Sequence, residues 1–226
     1  FMKSPVYRLF VERKTGFENE ARRTFRDLTG FLGISSLEGV RYLNRYDVEG
    51  IGEDALERAT VSVFSEPQGD VVYREAFPIS DAETVIATEY LPGQYDQRAD
   101  SAAQCLALLG GADGIPDGAA TASANGAAPI TVRCARLYVL RGKLTAADLK
   151  KIADYLINPV DSRKAGADKP DSLAMRTGAP ADIPTVDGFR SFDETALAAF
   201  RAEKGLAMDG ADLAFHDGDG VDDALV

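Results

Sequence analysis

The elements written between Val6 and Pro67 are written again, in the same order, between Thr84 and Pro159. Val6–Arg13 (VYRLFVER) reads as a strand, and a Thr15-Gly16 turn follows. The next segment places Ala21, Phe25, Leu28 and Leu32 on one helical face and stops at Gly33, the residue type that best closes a helix. Val40–Val48 alternates Val40, Tyr42, Asn44, Tyr46 and Val48, the pattern of a half-buried strand. A short helix at Glu53–Ala59 and an apolar patch ending at Pro67 complete the unit. In the second copy, the strand Thr84–Tyr90 ends at Pro92-Gly93, and a helix with Ala99, Ala103, Leu106 and Leu109 on one face follows. The strand Ile130–Leu140 comes next, with Gly142 where the first copy has Gly50. Thr145 and Asp148 then cap a helix striped by Leu149, Ile152, Ala153 and Leu156, and Pro159 matches Pro67. Phe17 aligns with Tyr95, Leu28 with Leu106, and Leu56 with Leu149.

One copy alone could hardly cover one face of its own sheet, so the two copies must pack together. The expected fold is an α/β (α+β) two-layer sandwich built from a duplicated β-α-β-α-β unit around a pseudo-twofold. The duplicated domain spans 2–163, with halves of about 2–74 and 83–163. Phe25, Leu28, Leu106, Leu149 and Ile152 are its expected core. The Gly/Ala-rich stretch 110–129 lacks periodicity and reads as a mobile insertion. Residues 164–226 form a second, mostly helical linker domain, expected to stop short of its natural end. In it, Ser191–Glu194 reads as a capping box, Leu197 and Phe200 as a helical stripe, and Gly205 as the close.

The formal net charge is −11, which repels nucleic-acid backbones and anionic lipid and argues against both as partners. No apolar run approaches the ~20 residues of a membrane helix. The two cysteines, Cys105 and Cys134, lie far apart inside apolar segments, which favours structural thiols in a reducing, cytoplasmic setting. Phe1 precedes Met2, the expected natural start, and is left out of the fold.

Catalytic motifs are scarce. No phosphate-binding glycine motif is present, and a lone histidine, His216, excludes a multi-histidine metal site. A Cys105/His216 nucleophile and base is formally possible, but Cys105 sits mid-helix and His216 in a polar tail. In the tail HDGDGVDD the alternating carboxylates of a calcium loop stop at Asp219 and Asp217, with Phe215 next and no distal Glu, so it reads as solvated. The turn between Glu89 and Cys105 (EYLPGQYDQRADSAAQC) is denser in directional polar groups than a connection requires. Asp96 and Asp100 could pair for acid–base work, but beside Arg98 a structural ion-pair and hydrogen-bond network is the favoured reading.

Five strings carry a resemblance: Leu37–Gly50 (LEGVRYLNRYDVEG), Val63–Pro67 (VFSEP), Tyr90–Cys105 (YLPGQYDQRADSAAQC), Tyr155–Ala165 (YLINPVDSRKA) and Gly205–Phe215 (GLAMDGADLAF). Together, and in this order, they resemble the N-terminal region of the large single-chain phosphoribosylformylglycinamidine synthases of purine biosynthesis. The resemblance runs from about Val6 to Phe215. It implies a module similar to two fused PurS subunits, followed by a linker domain. The parent enzyme is an ATP-dependent ligase of the glutamine amidotransferase type. It converts formylglycinamide ribonucleotide, glutamine and ATP to the amidine, glutamate, ADP and phosphate.

The synthetase string Ser-Asp-His-Cys-Arg-His, the ATP and magnesium ligands and the glutaminase residues have no counterpart here, and the ending HDGDGVDDALV departs from the family's aromatic-rich stretch. No catalytic residue carries over, and no cofactor or metal is expected on this chain. ATP and magnesium are implied for the parent alone. The implied role is assembly: docking the synthetase and glutaminase modules of the same polypeptide and helping to enclose the path of ammonia. Candidate docking or ammonia-path residues are Gln94, Asp96, Gln97, Arg98, Asp100, Ser101, Asp161 and Arg163. Local bracing of the fold by the same residues stands as a near-equal reading. Two other classes stay open, a stand-alone ligand-sensing α/β domain and an autonomous enzyme using the carboxylates near Asp96.

Overall fold

The computed structural model describes residues 5–111, 129–174, 186 and 188–206. Residues 112–128 of the expected mobile insertion, His216 and the acidic tail lie outside them. Six strands form one antiparallel sheet: β1 (Tyr7–Arg13), β2 (Leu37–Glu49), β3 (Asp70–Arg74), β4 (Glu83–Tyr90), β5 (Thr131–Gly142) and β6 (Ser162–Lys164). Between them run α1 (Asn19–Arg26), α2 (Glu53–Ala59), α3 (Gln97–Gly111) and α4 (Ala146–Leu156). Both α1 and α2 end in a single π-helical turn, Asp27–Phe31 and Thr60–Phe64. The apolar patch before Pro67 is therefore helical in part, and the third strand of the first half starts later, at Asp70.

The strand order is β3-β1-β2-β5-β4-β6, the same from either edge inward: third, first, second. The long strands β2 and β5 pair at the centre from Leu37↔Gly142 to Glu49↔Thr131. Matched positions share environments. Ala21 and Ala99 are buried, as are Leu28 and Leu106, while Phe17 and Tyr95 are exposed. On α2 and α4 the fully buried pair falls one turn later than Leu56 and Leu149, at Ala59 and Ile152. Of the five expected core residues, Leu28, Leu106 and Ile152 are buried, whereas Phe25 and Leu149 are partly so, at the rim of the cluster they join.

Alternation along the strands divides the core by face. Leu9, Val11, Tyr46, Val48 and Val132 pack with α2 and α3 residues such as Leu56, Ala102 and Leu106. Ile86, Tyr138 and Leu140 pack with Leu28 beyond α1 and Ile152 of α4. On the opposite face, Phe10, Leu43, Ala135, Leu137 and Val139 form a cluster without helix residues. Two connecting segments cover it. Phe77 stacks on Phe10 with ring centroids 4.8 Å apart, and Ala165 is buried in the cluster.

This second face also holds charge. Arg8 grips Asp47 through two bonds of 2.6 and 2.9 Å, both side chains almost wholly buried. Arg45 approaches the same carboxylate at 3.4 Å. The remaining guanidinium hydrogens go to carbonyls of the segment after β6. Arg8 donates to Ala167 and Asp168, Arg45 to Gly166, and Arg133 to Leu173. Glu49 in turn accepts from the Leu173 amide at 2.6 Å. Removing one member of such a buried pair typically costs about 3–5 kcal/mol, because the other charge is left uncompensated. These contacts explain why Ala165–Ala174, expected with the linker, belongs to the first compact unit, which ends at Ala174.

The second unit, Met175–Val226, is described only over its central part. There Phe189, Phe192 and Phe200 pack edge to face with centroids 5.5–6.1 Å apart. Its helix α5 (Glu194–Lys204) is capped by Asp193, whose carboxylate accepts the Ala196 amide at 2.8 Å. Ser191, expected as the cap, donates instead to the Gly188 carbonyl within a preceding 3-10 turn. Gly205 closes α5 in the left-handed conformation.

Gly50 and Gly142 are held in place by the seam between the halves. Gly50 has φ +93°, and a Cβ there would lie 2.6 Å from the Pro129 carbonyl oxygen at the start of β5. Gly142 has φ +144°, with a Cβ 2.2 Å from the Ser36 carbonyl oxygen at the start of β2. Each glycine ends one central strand where the other begins. Gly50→Ala and Gly142→Ala should each destabilise the protein by roughly 2–4 kcal/mol, combining backbone strain with a clash against main chain. Gly30→Ala, which meets nothing within 4 Å, is the control and should be near neutral. Urea unfolding of the three variants checks this, and equal midpoints would refute it.

Candidate functional site

The polar turn owes its shape to three backbone fixings. The Leu91 amide donates to the Asp161 carbonyl at 2.9 Å, which ties the turn to the loop before β6. The Gln94 amide closes a tight turn on the Leu91 carbonyl at 3.0 Å. Asp96 then starts α3, its carboxylate accepting the Ala99 amide at 3.1 Å and its carbonyl the Asp100 amide at 2.9 Å. A side-chain acceptor at this position satisfies an otherwise orphaned helix amide. Small residues do the rest: buried Ala99 and Ala102 let the helix lie close on the sheet.

That approach decides where Arg98 goes. Its guanidinium donates to the Tyr46 hydroxyl of β2 at 3.1 Å. Of the expected ion-pair and hydrogen-bond network only the hydrogen bonds are formed, since Arg98 makes no ion pair with Asp96 or Asp100. Asp100 faces the other way, accepting from the Tyr95 hydroxyl at 2.9 Å and from Gln104 at 2.7 Å. With Asp96 capping the helix, the two carboxylates serve separate hydrogen bonds. Gln94, Gln97 and Ser101 are exposed. Arg163, on the edge strand, grips Glu89 through two contacts of 2.8 Å.

Asp96, Arg98 and Asp161 meet at one cavity of about 70 Å³ on the helix-bearing face of the sheet. Residues that the motif reading did not single out complete it: Asn44, Tyr90, Cys134 and Arg136 among them. Arg136 donates to the Tyr90 hydroxyl at 3.0 Å and lies 5.5 Å from that ring's centroid. Asn44 accepts from the Tyr42 hydroxyl at 3.2 Å. A signal for them existed in the alternation of β2, where Asn44 interrupts a row of inward aromatic and aliphatic residues. A polar residue on a buried strand face needs a partner or a cavity. A second, larger groove of about 810 Å³ runs along α1 and the start of β2, and none of the expected site residues lines it.

Burial sets the proton affinities around the cavity. It pushes the Tyr42 hydroxyl up to about 12, aided by neighbouring Tyr138, and raises Tyr46 and Tyr138 as well. It also holds the Cys134 thiol well above its usual range, with Asp96 adding to the effect. Cys105 differs: the sequence placed it among apolar neighbours, but α3 turns it outward, and it is exposed. Its neighbours Ala102 and Leu106 take the buried face.

No protein-family model matches the chain, and no curated protein is significantly similar to it. No described helix is long and apolar enough to cross a membrane.

Two outcomes follow from the buried acids. The unfolded chain gives up these protons first, so from about pH 9 to pH 12 it binds fewer protons than the folded chain. Stability should therefore be complete below that window and fall as pH rises through it, which chemical denaturation at stepped pH would measure. A midpoint flat up to about pH 12 would contradict it. Iodoacetamide at pH 8 should modify exposed Cys105 well before Cys134, because the thiolate is the reactive form. Peptide mass spectrometry over a time course reads the order.

Proposed function

We propose that this chain is the N-terminal assembly module of a phosphoribosylformylglycinamidine synthase, a duplicated PurS-like domain with its linker domain. The resemblance of five ordered strings supports the reading, and the symmetric strand order β3-β1-β2-β5-β4-β6 is the observation that carries it. Two like halves joined along their second strands are what a fused pair of subunits would produce. On this reading the module holds synthetase and glutaminase in register and helps enclose the ammonia path, in the cytoplasm. ATP and magnesium act on the parent's other modules.

The exposed side chains of the polar turn, Gln94, Gln97 and Ser101, then supply the contact between modules. Directional polar groups suit this task because complementary placement fixes register more than it adds affinity. A ligand-sensing domain would need a closed apolar pocket between the halves. The cavity at the turn is lined instead by Asp96, Arg98, Arg136 and Asp161.

The test uses a phosphoribosylformylglycinamidine synthase stripped of its own N-terminal module. Adding this chain should raise glutamine-dependent turnover several-fold and ammonia-dependent turnover far less, since free ammonia bypasses the coupling. The triple variant Gln94→Ala/Gln97→Ala/Ser101→Ala, in exposed positions, should keep the wild-type melting temperature and lose the stimulation. The chain alone should show no glutamine-dependent amidination. Stimulation of neither reaction, or turnover by the chain alone, would overturn the reading.

A further inference from the structure

Arginines on this acidic chain are for the most part matched to carboxylates. Arg8, Arg13, Arg41, Arg45, Arg74 and Arg163 each have a carboxylate oxygen within 4.0 Å. Arg98 and Arg136 do not. The described residues give each only a tyrosine hydroxyl, Tyr46 for Arg98 and Tyr90 for Arg136. Both line the same cavity of about 70 Å³. A phenol takes one of the five N–H donors of a guanidinium and none of its charge.

We infer that the cavity between Arg98 and Arg136 is a binding site for a phosphate group, free or at the end of a small monoester. Two forks offer more donors than the two oxygens of one carboxylate can use, and they suit a tetrahedral dianion with three or four oxygens. The Asn44 side-chain oxygen is taken by Tyr42, which leaves its amide hydrogens as further donors on the lining. The Cys134 thiol, kept neutral by burial, brings no opposing charge. The space, lined by exposed Arg98 and Arg136, opens to solvent, where any group attached to the phosphate would lie.

Three carboxylates share the lining, and two are already engaged. Glu89 is held by Arg163 and lies 3.7 Å from Arg45, and Asp96 caps α3. Asp161 contributes its carbonyl to Leu91, and no described donor bonds its side chain. With Asp96, whose charge the helix amide does not neutralise, it opposes an anion here, and it therefore gives the site a signature that non-specific screening lacks.

The full chain is titrated with inorganic phosphate and with glycerol 3-phosphate at ionic strength fixed by sodium chloride, following amide chemical shifts and melting temperature. Saturable shifts at Asn44, Arg98 and Cys134 are expected, together with a rise in melting temperature. Arg98→Gln and Arg136→Gln should each weaken binding about tenfold, the scale of one lost charged hydrogen bond. Asp161→Asn should tighten it a few-fold, by removal of a like charge. Arg136→Lys keeps the charge without the fork; it should bind phosphate less well than the native chain with an unchanged melt. Inorganic phosphate binding alone marks a free-ion site, and tighter binding of the ester marks a monoester site. Linear, non-saturating shifts, an equal effect of chloride, or affinity unmoved by Asp161→Asn and Arg136→Lys would overturn the inference.

Discussion

Everything in the first unit hangs on the ladder between β2 and β5. Twelve register pairs join the two halves, and they are the longest run of pairing in the sheet. Their antiparallel arrangement forces the rest. With β2 and β5 side by side, β1 and β4 must pair on their outer edges, and β3 and β6 outside those. Main-chain geometry at both ends of the ladder is fixed by Gly50 and Gly142, each pressed against the first residues of the opposite strand. A side chain at either point would push the strands apart where their hydrogen bonds start.

The ladder also explains the unequal faces. On the helix side, alternate residues of β2 and β5 are covered by four helices, and burial of apolar area does the stabilising. No helix residue joins the cluster on the other side, where two short connections lie across a strip that includes Arg8, Arg45 and Asp47. Such connections have little apolar surface to bury, and carbonyl oxygens to satisfy. Arginines answer both needs, because one fork can hold a carboxylate while its remaining hydrogens reach main-chain oxygens. Arg8 does this for Asp47, Ala167 and Asp168 together.

The polar turn follows from the same packing. Buried alanines draw α3 down on the sheet, so the first turn of the helix delivers Arg98 to Tyr46 rather than to its sequence neighbours. Polar residues close in sequence are thereby sorted into two sets. Gln94, Gln97 and Ser101 stay clear of the cavity, while Asp96 and Arg98 line it with Asn44, Cys134 and Arg136, which come from strands far away in the chain.

Local pattern decided which elements form. Strand alternation, the helical stripes and the Thr145–Asp148 capping box depend on residues within a few positions of one another, and each is present where the sequence wrote it. The repeat of element order could be read for the same reason, since matching Gly50 with Gly142 needs no knowledge of contacts. What that pair of glycines does could not be read, because the atoms that exclude a Cβ belong to the opposite half. Nor could the choice of Asp193 over Ser191 as a cap, which turned on a 3-10 turn occupying the serine. The outward face of Cys105, the burial of Ala165 and Leu173 and the partners of Arg98 were settled only by packing. Which charges meet depends on distances across the sheet, and no spacing along a single chain encodes those.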